Sequence, residues 1–275
     1  MQLTKEKLTY LLFLYDYKDK GYTITRIAQE MNISKSTISR VLNTFYQEGL
    51  LLEKGKGKLS CQGCQMAKRY KYDINKLSKW LQDSADFNEE QAYQEALLLV
   101  LTLSDETRRK LVTNTSKEKL FKLIANVKEI SGDMLSVNLD DGEYSFAFTV
   151  YKKDRVGISM ANEGFYHPGV LEIKQGYGQL ILKPKEVEHV SLSGKMVLKG
   201  KLESLKYEIE NQFISSHFIR GNFVIPISKL RFFYSKEERM LQASIKIIVK
   251  VDVGIIHIPE NEVILTIIFK QCFVG

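Results

Sequence analysis

The sequence predicts an α+β fold, an all-α N-terminal part followed by a β-rich C-terminal part of barrel or sandwich type, on three observations. Apolar residues recur at helical spacing through the first part of the chain. After Gly132 the texture changes to short β-like runs separated by turn signals such as Asp140-Asp141-Gly142 and His167-Pro168-Gly169. Charge divides in a similar way: residues 1–83 hold 15 Lys and Arg against 8 Asp and Glu, and the rest of the chain holds 25 against 25.

The bulk properties set the outer limits. A chain of 275 residues with 44% hydrophobic and 27% charged residues is an ordinary globular protein with room for about two domains. No apolar run approaches the roughly 18 residues that span a bilayer. The apolar stretch near the start is interrupted at helical spacing and has no small-residue cleavage site after it, so it reads as a folded helix, and the expected location is the cytoplasm. Three cysteines, Cys61, Cys64 and Cys272, are an odd number that suits reduced thiols. Cys61 and Cys64 form a CxxC with no second pair or nearby histidine, so neither a zinc site nor a redox role is expected of them.

Residues 5–20 predict a first helix with Leu8, Leu11, Leu12 and Tyr15 on one stripe and Gly21 as its stop. Residues 25–31 predict a short second helix presenting Ile27, Ala28 and Met31 inward, with a turn at Asn32 and Ile33. Ser34 then caps a third helix, residues 35–48. Ile38, Val41, Leu42 and Phe45 fall on its inner face. Lys35, Ser36, Ser39, Arg40 and Asn43 fall on the other, with Thr37 beside them, and no carboxylate interrupts that face before Glu48. After Gly49 the run Glu53-Lys54-Gly55-Lys56-Gly57-Lys58 predicts a hairpin whose lysines project from one side. Three helices and a basic hairpin in this order are a winged helix-turn-helix. Its third helix would enter the major groove and its hairpin would face phosphate. The expected contacts to double-stranded DNA are Thr25, Lys35, Ser36, Thr37, Ser39, Arg40, Asn43, Lys54, Lys56 and Lys58. The positive excess of this segment fits phosphate binding, although a solvated basic face would give the same count.

Beyond the hairpin, Leu59-Ser60-Cys61-Gln62-Gly63-Cys64-Gln65-Met66-Ala67 resembles the L-[S/T]-x-x-G-x-x-x-A sequence that opens the next helix in the diphtheria-toxin-repressor family of metal-dependent regulators. It also resembles several other winged-helix families. The likeness, nearest to the manganese-regulator branch, continues through a helix to about Asp83 and the run from Phe87 to Glu106, about the first 110 residues in all. It implies a dimerisation region after the DNA reader. The ligands the family uses for its metal would fall here on Leu8, Leu11, Ile74, Leu97, Val100 and Leu101, all aliphatic. A side chain without a lone pair ligates no divalent cation, so neither metal nor other cofactor is expected, and a continuous apolar core is expected in its place. The apolar run at Leu97, Val100 and Leu101 is expected to lie between the subunits of a homodimer.

The domain reading is therefore 1–72 for the winged helix-turn-helix, 73–131 for helical dimerisation and linkage, and 132–275 for the β-rich part. A linking helix is expected at 114–131. Strands are expected at 134–139, 144–151, 156–159, 179–182, 196–198, 223–227, 230–234, 243–251 and 263–269. The histidines, His167, His189, His217 and His257, are dispersed without ligand spacing, and no nucleophile elbow, phosphate loop or dinucleotide fingerprint occurs. Two readings of the β-rich part stand: a domain that receives a small-molecule or protein effector, favoured by the lack of catalytic clusters, or an enzyme with an attached self-regulatory DNA-binding module.

Overall fold

The computed structural model describes residues 3–18, 23–190, 197–253, 256–257 and 261–271. Gly21, Met196 and Cys272 lie outside them, as do the side chains of His189 and His257. The chain divides into two compact units, residues 1–115 and 116–275.

The first unit is helical. α1 (Lys5–Asp16), α2 (Ile24–Glu30) and α3 (Lys35–Gln47) are followed by the hairpin, α4 (Cys61–Ala85), α5 (Glu89–Thr102) and the first part of α6 (Asp105–Leu123). α1 buries two faces. Leu11 and Leu14 join Ile27, Ile38, Leu42, Phe45, Leu50 and Leu59 in one cluster. Leu8 and Leu12 join Ile74, Leu77, Leu97 and Val100 in a second. Tyr15, expected on α1's inward stripe, is only partly buried. A single stripe would serve one core, and α1 serves two.

α3 ends in a Schellman turn. Leu50 N–H donates to the Phe45 carbonyl at 2.8 Å and Gly49 N–H to that of Tyr46 at 3.0 Å. Gly49 takes the left-handed φ of 74° that this turn requires. The hairpin is smaller than a two-strand ladder. It is tied by isolated bridges between Leu51 and Leu59 and between Thr23 and Lys56.

α4 runs unbroken through residue 72, so the expected boundary there falls within one helix. The helix that crosses the boundary between the units also differs from expectation. α6 begins at Asp105, where the Ser104 hydroxyl accepts from Thr107 N–H at 3.2 Å, and it ends at Leu123. The segment expected to be helical to residue 131 instead turns and enters β1 (Glu129–Ser131).

The second unit is antiparallel β-structure with one short helix. After β1 and α7 (Gly132–Asn138) come β2 (Gly142–Lys152), β3 (Gly169–Lys174), β4 (Tyr177–Leu182), β5 (Val187–Val190), β6 (Val197–Ile209), β7 (Gln212–Ser215) and β8 (His217–Ile219). β9 (Asn222–Pro226), β10 (Arg231–Ser235), β11 (Met240–Val253), β12 (Ile256–His257) and β13 (Asn261–Lys270) complete it. The expected strand 134–139 is α7, capped by Ser131, whose hydroxyl accepts from Met134 N–H at 3.2 Å. The expected strand 156–159 is a turn with one bridge, Tyr151 to Ile158. The other expected strands are present, with shifted ends.

The described strands connect in the order β1-β10-β11-β13-β2-β3-β4-β9-β8, with β6 also on β11 and flanked by β5 and β7. β2 is shared: Gly142 to Phe146 pair with β3, and Ala147 to Lys152 with β13. Such a strand turns a sheet back over itself, so that the inner residues of both parts meet. They form one core of period-two positions, with Phe146, Phe148 and Val150 from β2, Leu241 to Val249 at alternate residues from β11, and Val263, Leu265, Ile267 and Phe269 from β13. Leu120, Phe121 and Ile124 close it from the chain entering the unit.

Candidate nucleic-acid interface

The third helix owes its polar face to its cap and its period. Ser34 Oγ accepts from Thr37 N–H at 3.1 Å and lies 2.8 Å from Thr37 Oγ1, which fixes where the helix begins. Ile38, Leu42 and Phe45 are then buried, with Val41 packed partly against them. Lys35, Ser36, Ser39 and Arg40 emerge fully, and Thr37 and Asn43 are half-exposed. Thr25, in the first turn of α2, is also exposed. No acid lies anywhere in α3. Its N-terminus adds the partial positive charge of unpaired amides to Lys35.

The hairpin presents Lys54, Lys56 and Lys58 to solvent, but they are not equivalent. Lys56 Nζ donates to Glu53 Oε2 at 2.6 Å, and this contact holds the Glu53 carboxyl below its ordinary pKa. The sequence reading had not paired them, although i, i+3 spacing across a tight turn is a signal for it. The hairpin is anchored to α4 through the motif residues. Ser60 N–H donates to the Leu50 carbonyl at 2.9 Å, Ser60 Oγ donates to the Gly49 carbonyl at 2.6 Å, and Ser60 Oγ also accepts from Gly63 N–H at 3.0 Å. Gly63 is there because a Cβ would stand 2.2 Å from the Leu50 carbonyl oxygen. Cys61 is exposed and Cys64 half-buried, both as free thiols in the first turn of α4.

The positions that would correspond to metal ligands form hydrocarbon. Leu8, Ile74, Leu97 and Val100 share one cluster with Leu101 against it, and Leu11 belongs to the adjoining one. These residues do not fit a metal, since none carries a donor atom. Among the described residues no group of three or more His, Cys, Asp or Glu is placed to hold one.

Leu97 and Val100 are 2% and 1% exposed within their own chain, so they offer no surface to a second copy, contrary to the interface expected of them. They face inward because α1 and α4 cover that side of α5. Leu101 is half-buried, and Leu98, on another face, is 41% exposed.

Beside this core lies an ion pair the sequence reading missed. Arg108 on α6 is 2% exposed and Asp73 on α4 is 7% exposed, with Nε 2.7 Å from Oδ2. Arg108 also donates to the Val100 carbonyl at 3.1 Å and to Asp105 Oδ1 at 2.9 Å, and it stacks over Tyr70, 4.9 Å from the ring centroid. Burial raises the Asp73 pKa above the usual carboxylate range, opposed by the attraction of Arg108. A polar residue on the stripe Ala67, Tyr70, Ile74 and Leu77 was the available signal.

A hollow of about 650 Å³ on the helical unit is a groove lined by Asn75, Ser78, Lys79, Gln82, Glu89, Glu90 and Tyr93. In the second unit His167 stacks on Phe148 at 4.0 Å between ring centroids, its Nε2 3.2 Å from the Asn162 carbonyl oxygen.

A helix-turn-helix family model described as a homeodomain-like domain matches residues 6–51, which contain α1 from its second residue, α2 and α3. No curated protein matches the chain. Among solved structures, T. acidophilum IdeR is similar at 15% identity and a TM-score of 0.34, over 68% of this chain and 92% of its own. The manganese regulator SloR is similar at 16% and 0.34, over 80% and 98%. The NEAT5 domain of IsdX2, a B. anthracis hemophore in complex with heme, is similar at 20% and 0.29, over 46% and 96%.

Proposed function

We propose that the chain is a sequence-specific DNA-binding transcription regulator that acts as a homodimer, has no catalytic role, and is not gated by metal at Leu8, Leu11, Ile74, Leu97, Val100 and Leu101. The observation that carries it is the exposed, acid-free face of α3, with Lys35, Ser36, Ser39, Arg40 and Asn43 on a capped helix inside a matched helix-turn-helix. Arg and Asn are the side chains that pair bidentately with guanine and adenine edges in the major groove. The lysine hairpin beside it supplies sequence-independent attraction to phosphate. A homodimer follows from the reach of one recognition helix, which reads only a half-site. Metal independence follows from the hydrocarbon at the ligand positions.

The test is selection of bound fragments from random duplex DNA by the purified chain, followed by anisotropy titrations on the selected site. Binding is expected to be unchanged by Mn(II) or by a chelator, and a metal requirement that maps to residues 1–115 would overturn metal independence. Arg40→Ala and Asn43→Ala are expected to lose about 1–3 kcal/mol of discrimination between the selected site and a variant site. Lys58→Ala is expected to weaken all duplexes alike and to lower the salt slope by about one. Lys56→Ala is expected to do less than Lys58→Ala, because Glu53 already neutralises Lys56.

A further inference from the structure

The second unit is hollow at one end of its core. A cavity of about 420 Å³ opens between β6, β11 and β13 on one side and the 3-10 turn Met160–Gly164 on the other. Leu202, Val249 and Val263 form its buried floor and belong to the unit's core, while Ala161 and Val251 line its half-buried wall. Met160 stands at its lip, 70% exposed. Gly164 lets the turn approach β6 closely, since a Cβ there would lie 3.0 Å from a Leu202 methyl carbon.

The rim has a different chemistry. Lys152, Lys153 and Lys185 line it against a single carboxylate, Glu262. Lys153 Nζ is 2.7 Å from Glu262 Oε2, so that pair is neutral and Lys152 and Lys185 remain as cations. Of the neighbouring carboxylates, Glu186 and Glu188 share Lys199, at 3.6 Å and 2.8 Å, and with Glu163 they line the adjoining hollow on the other side of Lys185, not this cavity. An apolar floor with a cationic rim selects a molecule with both characters, and the volume falls in the range of small-molecule sites, about 300–1,000 Å³. A hydrocarbon tail gains about 25 cal/mol for each Å² it removes from water. An anionic head gains two ammonium partners at the mouth, where an amine would be repelled.

We infer that this cavity binds a small anionic amphiphile of the medium-chain carboxylate class, its tail on Leu202, Val249 and Val263 and its head at Lys152 and Lys185. The site lies wholly in the second unit and stands independently of DNA reading.

Isothermal titration of the full chain with octanoate, octylamine and octanol tests it. Octanoate is expected to bind, octanol more weakly, and octylamine not at all. The double variant Lys152→Glu/Lys185→Glu changes only exposed side chains, and it is expected to weaken octanoate roughly tenfold or more and to admit octylamine. Ala161→Trp, which fills the cavity, is expected to abolish octanoate binding. No octanoate binding to the folded wild-type chain, equal binding of amine and carboxylate, or octanoate binding that survives both sets of substitutions would overturn the inference; the last outcome would locate the ligand elsewhere on the surface.

Discussion

Arg108 is withdrawn almost wholly from solvent, yet its guanidinium keeps Asp73, Asp105, the Val100 carbonyl and the Tyr70 ring. Removing one member of a buried pair leaves the other charge uncompensated, at about 3–5 kcal/mol. The two members are unequal here. Without Asp73, Arg108 still has Asp105 and a carbonyl, whereas without Arg108, Asp73 has no cation beside it but Arg69 at longer range. Arg108→Met is therefore expected to lower the urea midpoint by more than Asp73→Asn, and Asp73→Leu/Arg108→Met to recover much of the loss. The pH dependence follows from the raised pKa of Asp73. A carboxyl whose folded pKa lies above its unfolded one binds its proton more tightly when folded. Its burial therefore weighs against folding at neutral pH, and stability from this group rises as pH falls through the folded pKa toward the ordinary value near 4. In Arg108→Met the attraction that lowers the pKa is gone, and the deficit is expected to shrink between about pH 7 and pH 4, as read by unfolding at each pH. A deficit constant across that window would show that lost packing, not charge, is the cause. The exposed polar face of α3 was legible at this scale because a solvated polar stripe repeats with the helix period. The Asp73–Arg108 pair was not, because its two residues meet only once α4 and α6 are packed.

The elements show the same contrast. α3 and its cap were readable from Ser34 and the i, i+3, i+4 pattern, since both are local, and β11 and β13 from their β-branched and aromatic runs. α7 was not, because Met134 to Leu139 is a short apolar run that suits a buried strand as well as a helix. The Ser131 cap and the close approach of Gly132 to the Ile227 carbonyl decide it. The 156–159 run failed for a related reason: Val156 and Ile158 are β-branched but exposed, and only one bridge forms. The Leu-Ser-x-x-Gly sequence was recognisable as a pattern, and the structure supplies its physics. Ser60 joins the end of α3 to the start of α4, and Gly63 leaves room for the Leu50 backbone. Gly63→Ala places a methyl against a carbonyl that cannot yield without moving the hairpin. It is expected to cost about 1–3 kcal/mol in denaturant unfolding. The same substitution is expected to shift DNA affinity more than Ser39→Ala. Unchanged stability would mean that the hairpin and α4 are not held at this distance.

For the whole molecule, each unit closes its own core: α1, α4 and α5 surround Leu8, Ile74 and Val100 in the first, and the shared strand β2 closes the sheets around Phe148 and Leu265 in the second. The sequence signalled this division through the change in texture at Gly132, yet the second unit begins at Ser116, inside α6. The boundary was hidden because a continuous helix carries no composition break. Leu120 and Phe121 lie on the same helix as Val112 but belong to a different core. Charge is partitioned too, with the whole excess of +7 in residues 1–83 and a balanced remainder. Two cores of this kind allow two transitions, since all-or-none unfolding holds for single domains and fails for chains of several. Leu265→Ala removes a fully buried side chain from the second core, at about 2–5 kcal/mol. It is expected to lower one calorimetric transition and leave the other in place, with affinity for the selected DNA at the lower temperature unchanged. Leu77→Ala, in the first core, is expected to lower the other transition and the DNA affinity with it. A single transition that moves equally with both substitutions would show that the two cores fold as one cooperative body.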